Sequence, residues 1–458
     1  MTLATNRGRL VFDITLMARW IGRPVGIVRC EQAIAQYALK ARPDIRFVIF
    51  DKTLAAWHEV HREWVGPLIR WDTRLDSPRS HFAARRRGWR RHMPSRFFIV
   101  LALERRRLSS PSRSAQRIFA AAQRLLCWPH GLPWPLADGK GLRRNAIPAE
   151  VALKKFEPGP PDTILSVGNY FNFDFEAVPA LKRRHGFRYV TMCHDLIADR
   201  YPTFFKDESV HDFRRHWQAV LPVADCVLVL SRAVERDIRD YCRDKGLALA
   251  RVAVTPPGCD MAGVAPAAAL PAGLARGRYA LFVATVEPRK GHAMILDVWK
   301  RLVDEGVPQR HGFKLAVVGR PGWKMDGVLH RLGEPAAFAG TVVYLAEASD
   351  AVLARLYRDC AFGVLPSIYE GYGMPLVESF ACGRTVIAST GGSLPEVAGA
   401  FAPCLPPGDS EAWYAILHRW IEDDGARASY EAEIRSTFRP YNWNEAAAEI
   451  SAAATARS

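Results

Sequence analysis

The sequence has no run of about 18 apolar residues, and its longest apolar stretches, such as 97–103 and 279–286, are only as long as a strand. A membrane-spanning helix is therefore not predicted. The first 16 residues also lack the basic flank, apolar core and cleavage site of an export signal. With 49% hydrophobic and 24% charged residues among 458, the composition is that of folded domains, and we expect a cytoplasmic protein.

Cysteine is sparse and scattered. The nine cysteines are an odd number, and no two stand at C-x-x-C spacing. This pattern predicts neither a disulfide framework nor a cysteine zinc site, and it is typical of reduced, buried thiols in a cytoplasmic chain.

Two common phosphate-binding motifs are also missing. Gly371-Tyr372-Gly373 begins like G-x-G-x-x-G, but Leu376 stands where the third glycine would be. No G-x-x-x-x-G-K-[ST] segment is present. The sequence therefore favours neither a nicotinamide dinucleotide nor a Walker-type ATP site.

Positive charge is abundant but confined to one stretch. Residues 79–144 contain sixteen Lys and Arg against Glu104 and Asp138, a balance of +14, whereas the whole chain carries +16. Aromatic and aliphatic residues alternate with these cations. The basic insertion, as we call residues 79–144, is interpreted either as a surface for an anionic membrane or as a solvated loop. Nucleic-acid binding is an alternative function, but no DNA or RNA module is present and we expect no such partner.

Short apolar strands alternate with segments of helical periodicity along the rest of the chain. This order predicts an α/β protein with two doubly wound, parallel-sheet domains. We place the N-terminal domain at residues 1–260 and the C-terminal domain at 275–435, joined by a Pro-, Ala- and Gly-rich linker over 256–277. Residues 436–458 are predicted to form a C-terminal helix that packs back on the N-terminal domain.

The most informative stretch is Ser367–Gly399. A buried strand at 362–365 leads into a polar loop, and Pro375 is suited to the start of the next helix. The free N–H groups of residues 373–376 would then attract an anion at the carboxyl edge of the sheet. Glu370 and Glu378 flank this helix start, where they would accept hydrogen bonds from ligand hydroxyls. Alternatively, they are ordinary loop and first-turn carboxylates.

Cations follow two other strands of the same predicted sheet. Arg289-Lys290 comes after the strand predicted at 280–286, and the loop 318–324 contains Arg320 and Lys324. Arginine grips phosphate in a fork and lysine adds a compact charge, so the loops suit a diphosphate. Taken singly, such a pair is also compatible with solvated surface.

Four motifs together resemble the family 4 retaining glycosyltransferases: E-G-Y-G-M-P-L-V-E from Glu370, T-V-E-P-R-K-G-H from Thr285, V-G-R-P-G-W from Val318 and P-P-G-C-D from Pro256. The likeness covers most of the chain outside the basic insertion. It implies the GT-B fold, in which two Rossmann-like domains face each other across a cleft. It also implies transfer of a sugar from a nucleotide diphosphate to an acceptor.

The resemblance assigns roles to single residues. Glu378 would bind the ribose hydroxyls, Glu370 the hydroxyls of the donor sugar, and Arg289 with Lys290 the diphosphate. His194, in a His-Asp pair after the strand at 188–193, joins Glu370, Arg289 and Lys290 as a catalytic residue, although a buried structural histidine is the alternative. The remaining donor-binding residues are Gly371, Tyr372, Gly373, Met374, Pro375, Leu376, Gly319, Arg320, Gly26 and Ile27.

Two further positions, the segment at Gly26 and Ile27 and the residue Ser231, also have simpler structural interpretations. Gly26 and Ile27 belong to the segment 22–29, which resembles the diphosphate-facing loop of polysaccharide-assembly members but is also compatible with an ordinary glycine turn. Ser231 stands at another strand end, where we favour a helix N-cap.

The resemblance also implies a mechanism and partners. The reaction would retain anomeric configuration by same-face displacement, with no metal and no cofactor. Two other classes of enzyme are alternatives. A metal-dependent transferase would need paired aspartates at a strand end, and the nearest candidates in the sequence are Asp174 and Glu176. A sugar-nucleotide epimerase would need an acid–base pair, and the sequence shows no clear one. The donor would be GDP-mannose, slightly favoured, or a UDP-hexose. The acceptor would be a glycan or a polyprenyl-linked sugar in cell-surface polysaccharide assembly at the inner face of the cytoplasmic membrane.

Overall fold

A computed structural model of the protein describes residues 9–19, 26–51, 55–69, 152–168, 177–267 and 269–456. The basic insertion, the loop residues 22–25 and the carboxylates Asp174 and Glu176 lie outside the described residues. The chain divides into two compact units, residues 1–188 and 189–458. The predicted domain boundaries at 260 and 275 remain predictions.

The first unit is an α/β layer whose strands β1, β2 and β5 run parallel. Its strands follow the order β4-β3-β2-β1-β5. The elements of this unit are β1 (Arg9–Asp13), α1 (Thr15–Arg19), α2 (Gly26–Ala41), β2 (Arg46–Asp51), β3 (Ala56–Val60), α3 (Arg62–Ile69), β4 (Ala152–Phe156), β5 (Asp162–Ser166) and α4 (Ala177–His185).

Two strands of this unit were not expected. β3 pairs antiparallel with both β2 and β4, so the sheet is mixed rather than purely parallel. β3 contains His58 and Glu59, and β4 contains two lysines, so neither shows the continuous apolar run that marks a buried parallel strand. In the strand order β4 stands at one end, where lysines protect an edge from further pairing.

The second unit contains three parallel strands in the order β6-β7-β8 and a separate six-stranded parallel sheet. Its first part consists of β6 (Arg188–Cys193), α5 (Ile197–Arg200), α6 (Asp207–Val220), β7 (Cys226–Val229), α7 (Arg232–Lys245) and β8 (Arg251–Val254). The six-stranded sheet and its helices are β9 (Tyr279–Val283), α8 (His292–Asp304), α9 (Val307–Arg310), β10 (Lys314–Val318), α10 (Asp326–Leu332), β11 (Val342–Leu345), α11 (Asp350–Asp359), β12 (Phe362–Leu365), α12 (Met374–Ala381), β13 (Val386–Ser389), α13 (Leu394–Ala398) and β14 (Cys404–Leu405). Three helices follow: α14 (Ser410–Glu422), α15 (Ala428–Thr437) and α16 (Trp443–Thr455).

The six-stranded sheet has the doubly wound order. Its strands follow the sequence β11-β10-β9-β12-β13-β14, which is the order 3-2-1-4-5-6 of a dinucleotide-binding sheet. Apolar side chains cover both faces: Trp299, Trp413 and Phe362 are fully buried on one, and Tyr279 and Tyr357 on the other. The order in which successive strands are added to the sheet reverses between β9 and β12, and ligands bind outside the carboxyl ends of the strands at such a point. The predicted doubly wound architecture is confirmed here.

The C-terminal helix α16 begins at a capping box, in which Asn442 and Glu445 each bond the other's backbone N–H. The amide of Cys259 donates to the carbonyl oxygen of Tyr441 at 2.7 Å. Gly258 has no room for a side chain, because a Cβ there would lie 2.4 Å from Cα of Trp443. Residues 256–260 are thereby tied to the start of the last helix. Among the described residues, no helix combines the length and apolarity needed to cross a membrane.

Candidate active site

The site is built on the neighbouring strands β9 and β12. They run parallel, with Ala280 opposite Phe362, so their carboxyl ends open on the same edge of the sheet. β9 ends at Val283, earlier than predicted, which leaves a longer loop before Arg289. The amide of Ile368 donates to the carbonyl oxygen of Arg289 at 2.7 Å, and this bond joins the two loops.

Four charged side chains meet between these loops. Glu370 Oε2 lies 2.9 Å from a terminal nitrogen of Arg289, and Glu370 Oε1 lies 2.6 Å from Lys290 Nζ. Arg289 Nε lies 2.9 Å from Glu287 Oε1. Ser367 also donates its hydroxyl to Glu370 Oε1 at 2.6 Å. All four charged side chains are at most 16% exposed, and their two positive and two negative charges balance.

This environment lowers the pKa values of Glu370 and Lys290 and raises the pKa of Arg289. Burial would raise the pKa of Glu370, but Lys290, Arg289 and the bonded Ser367 lower it to about 2. Burial and the adjacent charge of Arg289 lower the pKa of Lys290. Burial alone would lower the pKa of Arg289 as well, but Glu370 and Glu287 raise it. Glu370 is therefore fully ionised at neutral pH, and Arg289 is the more firmly protonated of the two cations.

The sequence thus predicted three of these residues at one site, and the structure brings Glu370, Arg289 and Lys290 into direct contact. It did not predict Glu287 and Ser367, which complete the cluster. Their only sequence signal is position, since Glu287 lies two residues before Arg289 and Ser367 three before Glu370.

The helix that follows the cluster is α12. It begins at Met374, with Pro375 in its first turn and Gly373 at its N-cap position. Gly373 has a φ of +93°, which only glycine adopts without strain. The helix has eight residues, and its first N–H groups follow Glu370 by only a few positions in the sequence. These are the N–H groups that were predicted to attract an anion.

The side chains in the segment 371–376 have different environments. Leu376 is completely buried in a core cluster with Phe380 and Leu394, so only its backbone could reach a ligand. Tyr372 packs beside a second cluster that includes Cys259, and burial raises the pKa of Tyr372 to about 12. Met374 is partly buried against that same cluster.

Glu378 lies one turn into α12 and is 7% exposed. Tyr357, fully buried on α11, donates its hydroxyl to Glu378 Oε2 at 2.7 Å. Burial and the neighbouring Glu378 raise the pKa of Tyr357 well above its usual value, so this hydroxyl keeps its proton. Tyr357 orients the carboxylate that was predicted to bind ribose, and nothing in the local sequence pointed to it.

His194 is brought to the same loop. A Cβ on Gly371 would lie 2.2 Å from the His194 carbonyl oxygen, so the two backbones are in contact. Ser231 holds the loop from the other side, donating its hydroxyl to the Gly371 carbonyl oxygen at 2.8 Å. The same hydroxyl accepts the N–H of Val234, which confirms the predicted N-cap of α7.

Gly319 directly follows β10. A side chain has no space there, because a Cβ would lie 1.8 Å from the Ala284 carbonyl oxygen. Arg320 is partly buried, and the described residues show no side-chain hydrogen bond or ion pair for it. Lys324, the other cation of this loop, donates to the carbonyl oxygens of Thr203 and Phe205, at 2.9 and 2.6 Å. Its ammonium group is thus already engaged by backbone.

Gly26 and Ile27 are the first residues of α2 in the first unit, Gly26 exposed and Ile27 partly buried. Their proposed contact with a donor stays a prediction. Among the described residues, no three His, Cys, Asp or Glu side chains are grouped as metal ligands would be.

Comparison with known proteins identifies the family to which this chain belongs. The description "Glycosyltransferase Family 4" matches residues 99–262, and "Glycosyl transferases group 1" matches residues 274–437. The O-antigen chain mannosyltransferase B of Escherichia coli is 30% identical over 269 residues, which span 56% of this chain and 67% of that protein. The chain belongs to the family 4 glycosyltransferases. Its likeness to the family extends into the second half of the basic insertion, further than the motifs indicated.

Other relatives are more distant from this glycosyltransferase. The serotype-specific mannosyltransferase WbdA of Escherichia coli is 27% identical over 41% of this chain, and the match spans only 24% of WbdA. HepE of Anabaena, solved in complex with UDP and glucose, covers 97% of this chain and 98% of its own with a TM-score of 0.58 and 14% identity. This structural likeness supports the predicted GT-B fold. Neither nucleic-acid binding nor epimerase activity is favoured by these matches.

Proposed function

We propose that this glycosyltransferase moves a hexose, with mannose favoured, from a nucleotide diphosphate sugar to a glycan or lipid-linked acceptor. We place this step in cell-surface polysaccharide assembly, at the inner face of the cytoplasmic membrane. Support comes from relatives named as mannosyltransferases and from a solved neighbour that binds UDP and glucose. The observation that carries the proposal is the buried contact of Glu370 with Arg289 and Lys290, at the reversal point of a doubly wound sheet.

In this proposal the donor's diphosphate binds beside Arg289 and Lys290. Arg289 and Lys290 share their N–H groups between Glu370 and the phosphate oxygens, and the N–H groups at the start of α12 supply further donors. Glu370 accepts hydrogen bonds from the sugar hydroxyls. Glu378, oriented by Tyr357, accepts them from the ribose.

The proposed reaction is a same-face displacement that retains anomeric configuration. The bond between the anomeric carbon and the departing phosphate oxygen breaks while the acceptor oxygen bonds to that carbon. The acceptor's proton passes to the departing phosphate oxygen, so the chain supplies no covalent nucleophile. Its contribution is positioning and stabilisation of the charge that develops on the diphosphate. Each charge-assisted hydrogen bond of this kind is worth about 1.5–3 kcal/mol.

We also propose that transfer needs no divalent metal, because Arg289, Lys290 and the N–H groups at the start of α12 supply hydrogen-bond donors for the diphosphate oxygens. Activity should persist after treatment with a chelator. Complete loss that magnesium or manganese restores would contradict this part of the proposal, whereas partial stimulation by a metal would not.

The test of the function is a panel of nucleotide sugars screened by thermal shift and then by transfer to glycan and lipid-linked acceptors. A donor at about 100 times its Kd should add about 2.7 kcal/mol of stability. Glu378→Ala should weaken donor binding and leave the fold intact. Glu370→Ala should lower turnover more than it lowers nucleotide binding.

Several outcomes would contradict the proposal. If no nucleotide sugar stabilises the protein, or if Glu378→Ala binds and turns over the best donor as well as the parent does, the site is wrongly assigned. Inverted anomeric configuration, read by NMR of the product, would exclude the same-face mechanism.

A further inference from the structure

Tyr369, which directly precedes Glu370, is anchored to helix α7. Its hydroxyl donates to Asp237 Oδ2 at 2.6 Å. Arg200 donates to the other oxygen, Asp237 Oδ1, at 2.7 Å, and the Arg200 guanidinium lies 5.2 Å from the centre of the Tyr369 ring. Asp237 and Tyr369 are only 6% and 8% exposed. One buried carboxylate is therefore bound on both oxygens, and one of its partners belongs to the Glu370 loop.

The hydrogen bonds of Asp237 to Tyr369 and Arg200, which we call the Asp237 anchor, are strong because Asp237 is buried and the Arg200 side chain is ionised. Burial raises the pKa of Asp237, while the bond from Tyr369 and the charge of Arg200 act to lower it. Hydrogen bonds to charged groups in such surroundings are stronger than neutral ones. Without the Tyr369 hydroxyl, Asp237 would keep Arg200 as its partner but one oxygen would lose its donor.

Movement of Tyr369 would be transmitted to the charged cluster through the backbone. The Tyr369 carbonyl oxygen accepts a hydrogen bond from a terminal nitrogen of Arg289 at 3.1 Å, and that same nitrogen binds Glu370. The loop is therefore fixed at Tyr369 by its own side chain and at Glu370 by the two cations. A shift of Tyr369 would move the Arg289–Glu370 pair as well.

Helix α7 holds this region at a second place. Glu396, at the start of α13, accepts the N–H groups of Arg232 and Ala233 at 2.9 and 3.1 Å. With the bond from Ser231 to Gly371, the N-terminal turn of α7 holds the loop just beyond Glu370. Asp237 is the contact that acts on the residue just before Glu370.

We infer that Tyr369, Asp237 and Arg200 are positioning residues that fix the Glu370 carboxylate against the donor sugar. They touch neither substrate nor reacting atoms and act through the backbone of Tyr369. The inference rests on the proposed role of Glu370, and it adds a set of residues on α5 and α7 to those that determine turnover.

Tyr369→Phe tests the inference by removing one hydroxyl and keeping the ring under Arg200. We expect kcat to fall about tenfold, which corresponds to about 1.4 kcal/mol, while the Kd of the matching nucleoside diphosphate without sugar changes less than threefold. The control is Tyr414→Phe on α14, because Tyr414 also donates to a carboxylate, Glu305, but is only partly buried and lies far in sequence from the Glu370 loop. That variant should match the parent in both measurements. Unchanged kcat in Tyr369→Phe, or equal loss of kcat and diphosphate affinity, would overturn the inference.

A double-mutant cycle identifies the partner. Asp237→Asn should also lower kcat. The double variant with Tyr369→Phe should be as active as the less active of the two single variants, because both substitutions act on the same Tyr369–Asp237 contact. Independent, multiplying losses would show that the two side chains do not act together, and would contradict the inference.

Hydrogen exchange on the donor-free protein separates this inference from the proposed function. Amides of residues 367–373 should exchange faster in Tyr369→Phe than in the parent and in Tyr414→Phe. If the parent transfers no sugar from any donor but this change is seen, the function fails and the anchor stands. If exchange is unchanged, the anchor fails whatever the enzyme does.

Discussion

The backbones of Gly371 and His194 are in contact, since a Cβ on Gly371 would lie 2.2 Å from the His194 carbonyl oxygen. The contact joins the end of β6 to the loop that follows β12, and the two strands belong to different sheets. His194 was predicted from its position after β6, and Gly371 from a motif that lies about 180 positions later in the chain. The structure places the two residues side by side. The contact leaves no room for a side chain at this position of the motif.

The first prediction concerns Gly371→Ala. The added methyl group has to displace the His194 backbone, so we expect stability to fall by about 1–3 kcal/mol and transfer to fall at least tenfold. Denaturant unfolding and initial rates measure the two effects. The control is Gly327→Ala on α10, where an added Cβ meets nothing within 4 Å, and stability should be unchanged or higher by up to about 1 kcal/mol. Parent-like activity in Gly371→Ala would show that the contact is not needed.

The second prediction concerns acid. Glu370 has a pKa of about 2 in the folded protein against an ordinary value of 4.5, so its contribution to stability is present above 4.5 and is lost as the pH falls towards 2. The parent should lose about 2 kcal/mol between pH 5 and pH 3 that Glu370→Gln does not lose. Unfolding by denaturant at several pH values gives the two slopes.

Glu157 supplies the control for this prediction. Its pKa is also lowered, by a hydrogen bond from Lys155, but both side chains are 60% exposed. Solvent screens such pairs, so Glu157→Gln should follow the parent's pH dependence. Equal slopes in the parent and Glu370→Gln would mean that the cluster does not stabilise the ionised carboxylate.

The sequence was sufficient for five strands of the six-stranded sheet, because each of them is an apolar run bounded by clear breakers. The sixth strand, β14, has only two residues and was not predicted. β12 has the bounds predicted at 362–365, and β9 begins one residue before and ends three residues before the strand predicted at 280–286. β3 and β4 were missed because an edge pair with polar and cationic residues lacks that signal. The mixed sheet of the first unit could not have been predicted from periodicity alone.

The candidate site was predictable where chemistry follows a strand end, and not where it depends on packing. Arg289, Lys290 and Glu370 lie in the loops that follow β9 and β12, and parallel strands bring such loops together. Tyr357 and Asp237 lie within helices, and their partners are 21 and 132 positions away. The bonds of Lys324 to the carbonyl oxygens of Thr203 and Phe205 were likewise not predictable, because a cation in a loop gives no sign that carbonyl oxygens distant in sequence will bind it.

The third prediction concerns Tyr357→Phe. Glu378 would lose the hydroxyl that holds Oε2, and a carboxylate free to turn should bind ribose less well. We expect affinity for the nucleoside diphosphate to fall about five- to tenfold, measured by calorimetry, which corresponds to about 1–1.4 kcal/mol. The control is Tyr279→Phe, because that buried hydroxyl donates at the same 2.7 Å to the carbonyl oxygen of Leu356 instead. Loss of stability without loss of affinity is expected there. Equal affinities in the two variants would exclude an orienting role for Tyr357.

The last prediction concerns the basic insertion, which should bind anionic membranes without being part of the catalytic centre. Its balance of +14 accounts for nearly all of the chain's charge of +16. At about 1 kcal/mol for each Lys or Arg near an anionic surface, four or five engaged side chains would give micromolar-to-millimolar attachment. Salt screens this attraction, whereas burial of aromatic residues such as Trp89 is not screened.

The measurement is co-sedimentation with anionic and neutral liposomes at rising salt, comparing the parent with a variant carrying Ser in place of the arginines at 85–87, 90 and 91. Equal sedimentation of both proteins, or no preference for anionic lipid, would leave the solvated loop as the remaining interpretation.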